Sequence, residues 1–184
     1  MIAALENPQI RKHAAPLTLH QYHTLINEGA ISNDVEFLEG VLIEKMPKSP
    51  LHEFIVAQLI AILQKNLAPG LIVRKEGPLT IGNSEPEPDI SVVHGELSDY
   101  RLEHPQTAEF VAEISVTTQD IDFAKANIYA RANVPVYLII DAAKNIAHLH
   151  TNPQNDKYTT VAQHNDKIRL NTWNIELDIK SLFQ

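Results

Sequence analysis

Residues 110–140 read FVAEISVTTQDIDFAKANIYARANVPVYLII. An apolar run, Phe110 to Val116, is followed by a helix-compatible stretch, Asp120 to Asn133, and then by a second apolar run, Val136 to Ile140. Uninterrupted apolar runs of this length suit strands buried on both faces. Strand, helix and strand in that order predict one crossover between parallel neighbours. Asp120 and Asp122 suit the start of the helix, where free N–H groups leave partial positive charge. One residue breaks the apolar pattern. Glu113 places a carboxylate in the middle of the first strand. Burial without a partner is costly for a carboxylate, so a cation should accompany it. Lys125 on the following helix is one such partner, and a metal ion is another.

Further toward the N-terminus, Pro86-Glu87-Pro88-Asp89-Ile90 leads into a strand from Asp89 to Val93. The prolines fix the direction in which the chain enters it. Taken alone, the segment is a rigid turn. Taken with Glu113, it presents a second carboxylate beside the first. Leu71 to Arg74 and Leu79 to Ile81 read as further strands, and His94 to Pro105 as a polar loop. Phe54, Ile55, Leu59, Leu63 and Leu67 recur near the helical period, in a helix opened by Pro50 and stopped by Pro69-Gly70. An earlier helix starts after Thr18, a suitable N-cap, and ends at Gly29. Val35–Leu38 and Val41–Lys45 flank Glu39-Gly40, a hairpin signal. Beyond Asp141, the segments 146–149, 158–161, 168–170 and 175–177 read as an antiparallel meander closed by a short helix. Residues 1–16 read as a flexible arm and 17–184 as one domain. The fold class is α/β of the mixed α+β kind: a central mixed sheet flanked by helices, with antiparallel C-terminal strands.

The chain has 184 residues and no cysteine, which rules out disulfides and thiolate metal sites and points to a reducing, cytoplasmic setting. No apolar run approaches the roughly 18 residues of a membrane span, so no membrane partner is expected. A net charge of −8 counts against tight nucleic-acid binding but permits transient contact. A bound cation is also missing from that count. No Gly-rich phosphate loop is present, which argues against nucleotide-triphosphate chemistry. His20 with His23, and His148 with His150, share faces but lack a third ligand at zinc spacing, and read as surface residues. Tyr137 and Trp173 read as packing residues, and Asp141 as a turn residue.

Five segments in order resemble a large bacterial family of restriction-type endonucleases within the PD-(D/E)xK nuclease superfamily. They are Glu36-Phe37-Leu38-Glu39-Gly40, Met46-Pro47-Lys48-Ser49-Pro50-Leu51-His52, Glu85-Pro86-Glu87-Pro88-Asp89-Ile90, Val111-Ala112-Glu113-Ile114-Ser115, and Lys125 to Tyr129 followed by Val134-Pro135-Val136-Tyr137. The resemblance runs from about Leu17 onward and implies a restriction-endonuclease-like fold. It implies a Mg²⁺- or Mn²⁺-dependent endonuclease whose metal ligands are Asp89 and Glu113, acting on DNA and leaving a 5′-phosphate. Lys125 would orient the attacking water or stabilise phosphate charge. Glu36 and His52 would support the site, and Tyr129 would position the lysine. A homodimer would set two sites against the two strands of a duplex. The superfamily places lysine two positions after the acid, whereas this chain has Ser115 there. The family's usual acid four positions before the lysine is replaced by Ile121, between Asp120 and Asp122.

Oxygen ligands on two strands suit a hard divalent cation, which polarises a phosphodiester and acidifies its water. Simpler roles stay open for each residue. Glu113 and Lys125 can form a plain ion pair. Glu36 alternates with Val35 and Phe37, so it can face solvent, and His52 can be a surface residue at a helix start. The alternative function is a catalytically inactive binding or regulatory module that keeps the nuclease fold, and a hydrolase of another substrate is a third possibility.

Overall fold

The computed structural model describes residues 7–116 and 119–184, with only the backbone of Gln119. Residues 1–6 of the expected arm lie outside the described residues. The next part of that arm forms a short helix, α1 (Pro8–His13), capped by the Asn7 side chain. Helix α2 (Leu19–Asn27) follows the Thr18 cap, whose hydroxyl and the Gln21 side chain close a reciprocal capping box. A two-residue turn at Glu39 and Gly40 joins β1 (Val35–Leu38) to β2 (Val41–Glu44). Both turn residues have positive φ, 50° and 89°. A Cβ on Gly40 would stand 2.3 Å from Pro16 Cβ, so the close approach of Pro16 also requires glycine there. Helix α3 (Pro50–Asn66) begins with Ser49 as N-cap.

The central sheet is built from β3 (Leu71–Lys75), β4 (Ile90–His94), β5 (Phe110–Ser115), β6 (Val136–Asp141), β7 (Ile146–Gln154) and β8 (Lys157–His164), in that spatial order. All neighbours are antiparallel except β5 and β6, which the crossover helix α4 (Gln119–Arg131) joins in parallel. The mixed α+β class expected from the sequence is what the chain adopts.

β5 is buried along its whole length, and its alternate residues serve two cores. Phe110, Ala112 and Ile114 join Ile55, Leu59, Leu63 and Leu138 on the α3 side. Val111 joins Ile128, Tyr129, Tyr137 and Ile139 on the α4 side. Period-two alternation therefore turns Glu113 and Ser115 toward α4.

Three expectations need correction. Leu79–Ile81 is not a strand of the sheet. Leu79 N–H bonds to Pro86, Thr80 N–H to Pro105 and Ile81 to Ser84, so successive residues bond to different segments and no ladder forms. The C-terminal meander is divided. β7 and β8 extend the main sheet, while β9 (Lys167–Leu170) and β10 (Ile175–Asp178) pair with each other in a separate two-stranded sheet. Ile168, Leu170, Ile175 and Leu177 pack into the α3-side core, and burial of those four side chains favours covering the sheet over extending it. His150 is buried and not on the surface, between Tyr137, Tyr158 and Phe123. Asp141 does hold a turn, with its Oδ1 accepting from the N–H groups of Ala143 and Lys144. No helix among the described residues is long and apolar enough to cross a membrane.

Candidate active site

Strand register brings the two carboxylates together. β4 and β5 pair with Ile90 opposite Ala112, so the ladder ends where Asp89 and Glu113 come opposite each other. There the side chains replace backbone carbonyls as acceptors. Asp89 N–H donates to Glu113 Oε2 at 3.2 Å, and Ile114 N–H donates to Asp89 Oδ2 at 2.8 Å. These bonds fix both carboxylates against the sheet.

Helix α4 supplies the lysine. Lys125 Nζ lies 3.0 Å from Glu113 Oε1, 2.8 Å from Glu36 Oε2 and 3.9 Å from Asp122 Oδ1. One turn later, Tyr129 donates its hydroxyl to Glu113 Oε1 at 3.1 Å. Tyr129 therefore holds the lysine's partner and not the lysine itself.

Glu36 reaches the site because β1 docks on the segment before Asp89. Phe37 pairs with Glu85, and Glu87 N–H donates to Glu36 Oε1 at 2.9 Å. Position 36 is thus buried and not facing solvent. His52 sits in the first turn of α3, where its N–H donates to the Ser49 cap. Its Nε2 stands 3.0 Å from Asp89 Oδ2, and its buried Nδ1 has no hydrogen-bond partner. All five residues expected at a site from sequence meet in one cleft of about 240 Å³.

Sequence reasoning missed two members of the cleft. Lys48, on the loop between β2 and α3, pairs with Asp89 Oδ1 at 3.3 Å and Glu76 Oε1 at 3.1 Å. In sequence it stands inside the Met46 to His52 segment with nothing to mark it as a partner of Asp89. Asp122 is buried, and Ser115 hydrogen-bonds to its side chain. Its spacing of three from Lys125 on one helix was the available signal. Ile121, where the resemblance led to the expectation of an acid, also lines the cleft, while Asp120 is exposed.

The site carries excess negative charge. Burial raises the Glu113 carboxyl well above the usual range, with Lys125 opposing and Asp122, Asp89 and Glu36 adding to the rise. Burial likewise pushes Asp122 up to about 6. At Asp89, burial acts upward but is outweighed by the His52 hydrogen bond and charge, the Ile114 N–H and Lys48, so its pKa falls. Burial alone would lower Lys125, but Glu113, Glu36 and Asp122 overcome it and hold the amine protonated.

This donor chemistry fits a hard divalent cation. The candidate ligands are all carboxylate oxygens, and the surrounding acids outnumber the buried lysine. Among the described residues, no group of three His, Asp or Glu side chains forms a ready metal cage. Magnesium does not need one, since it binds through one or two carboxylates and keeps several waters.

Residues 19–180 match the Uma2 family model, described as "Putative restriction endonuclease". The chain belongs to this family. A solved structure described as "a putative nuclease belonging to DUF820 from Anabaena variabilis ATCC 29413" shares the fold, with a TM-score of 0.74 at 18% identity. The match covers 91% of this chain and 98% of that one. Among curated proteins no match is found. The Uma2 match spans every residue of the cleft, from Glu36 to Lys125.

Proposed function

We propose that this Uma2-family chain is a metal-dependent endonuclease that hydrolyses DNA phosphodiester bonds. The observation that carries this reading is the convergence of Asp89, Glu113, Lys125, Glu36 and His52 from five separate segments into one cleft. Family membership supports the reaction class.

Asp89 and Glu113 would hold Mg²⁺ or Mn²⁺, which when bound supplies Lewis-acid polarisation of the phosphate and a more acidic water. The chain's own groups have separable tasks. His52 and the Ile114 N–H keep Asp89 ionised and oriented. Glu113 and Glu36 keep Lys125 protonated, so its role is to orient the attacking water and stabilise negative charge on the phosphate. A protonated amine cannot serve as the general base. Tyr129 fixes Glu113 through its hydroxyl.

One observation favours a second reading, a catalytically inactive binding or regulatory module. Ser115 stands where the superfamily has lysine. Supercoiled plasmid incubated with Mg²⁺, Mn²⁺ or EDTA separates the two. The endonuclease reading expects nicking in either metal, none in EDTA and none for Asp89→Asn. A folded wild type that nicks nothing and binds neither metal supports the module.

A further inference from the structure

Every oxygen of the two candidate metal ligands already has a protein partner. Glu113 Oε1 accepts from Lys125 and Tyr129, and Glu113 Oε2 from the Asp89 N–H. Asp89 Oδ2 faces His52 and the Ile114 N–H, and Asp89 Oδ1 faces Lys48. A cation approaching this pair must compete with one of these groups.

The partners differ in how readily they can leave. Lys125, Tyr129 and His52 are buried on helices, the Ile114 N–H belongs to β5, and the Asp89 N–H stands immediately before β4. Lys48 alone lies on a loop, with 32% of its side chain exposed. It also has somewhere to go. Its amine is shared with Glu76 Oε1 at 3.1 Å, so it keeps an ion pair when Asp89 is taken. Asp89 Oδ1 has no other partner among the described residues.

We propose that Lys48 is a tethered cation that holds the exchangeable position on Asp89 and is displaced when a divalent cation binds. This inference rests on the metal-dependent reading above. It makes Lys48 a positioning residue that sets metal affinity and returns an amine to the cleft mouth, beside Lys45, as the metal enters. Lys45 provides the control. It lines the same cleft but pairs with Glu87 at 2.9 Å and does not touch Asp89.

The test is calorimetric titration of the full chain with MnCl₂. Lys48→Met should bind Mn²⁺ about fivefold more tightly than wild type, the ratio expected when a partly exposed ion pair of about 1 kcal/mol no longer competes. Lys48→Arg, which keeps the charge, and Lys45→Met should each stay within about twofold of wild type, because neither removes a charge paired with Asp89. In wild type, acetylation of Lys48 read by mass spectrometry should rise when Mn²⁺ is added, and in Asp89→Asn it should not. Unchanged or weaker affinity in Lys48→Met overturns the inference, as does equal tightening in Lys45→Met, which would show a general charge effect. Those outcomes leave the metal reading intact. A folded wild type that binds no Mn²⁺ overturns both.

Discussion

The two faces of the central sheet solve different problems. Toward α3, the sheet packs on a core of apolar side chains, among them Ile55, Leu59, Leu63, Phe110, Leu138 and Leu177, all fully buried. Toward α4, the packing begins in the same way, with Val111, Ile128, Val134 and Ile139. At one end that face becomes ionic, where Glu113, Ser115, Asp122 and Lys125 are buried together with Glu36. Apolar burial stabilises by about 1.5–3 kcal/mol per large side chain. A buried ion cluster mostly offsets its own desolvation and is often no more stable than an apolar replacement. The α3 face therefore accounts for the fold, and the ionic end of the α4 face is explained by the chemistry proposed for it.

Several changes would break or sharpen that contrast. Lys125→Met removes the cation and leaves Glu113, Glu36 and Asp122 in one buried cluster. It should destabilise the chain by about 3–5 kcal/mol in urea unfolding. On the opposite face, Leu59→Ala should cost about 2–5 kcal/mol by opening a cavity beneath the sheet, with no change in metal binding. The two losses are similar in size but differ in whether they can be repaired. Glu36→Gln and Glu113→Gln added to Lys125→Met should recover most of the loss and end within about 2 kcal/mol of wild type, because Asp122, which Ser115 hydrogen-bonds, is then the one carboxylate of the three left beside the methionine. If the triple variant is as unstable as Lys125→Met, the ionic cluster contributes to the fold in its own right.

The smallest effect concerns the pair on β7. Burial lowers the imidazole pKa of His148 and His150 below the ordinary value. The unfolded chain then takes up protons before the folded one does. Their contribution to stability is intact above about pH 6.5, the ordinary histidine pKa, and is lost as the pH falls from there through the lower folded-state values. Replacing both with glutamine should flatten the fall in the urea midpoint between pH 7.5 and 5.5. An unchanged slope would place the acid sensitivity elsewhere.

Much of this contrast was legible in the sequence, and the omissions have physical causes. The run from Phe110 to Ile140 gave two buried strands and their crossover helix because long apolar runs and helix-compatible spacing are local signals. Thr18, Pro50 and Glu39-Gly40 marked two helix starts and a turn through chemistry confined to a few residues. Glu113 stood out because a carboxylate in a buried strand needs a partner. What local pattern could not supply was the destination of a segment. Ile168 to Leu177 reads the same whether it extends a sheet or covers one, and only the apolar α3 face decides between them. Lys48 was equally hidden. A lysine in a loop carries no mark of the aspartate 41 residues away in sequence that it will meet. His150 reads as polar, yet three aromatic rings enclose it.

The most direct test of the central claim is cleavage of supercoiled plasmid in Mg²⁺ by Glu113→Gln, using protein whose urea unfolding curve overlays that of wild type. The account predicts a stable chain with nicking lost, because the carboxylate serves the reaction more than the fold. A stable Glu113→Gln that nicks plasmid at the wild-type rate would contradict it.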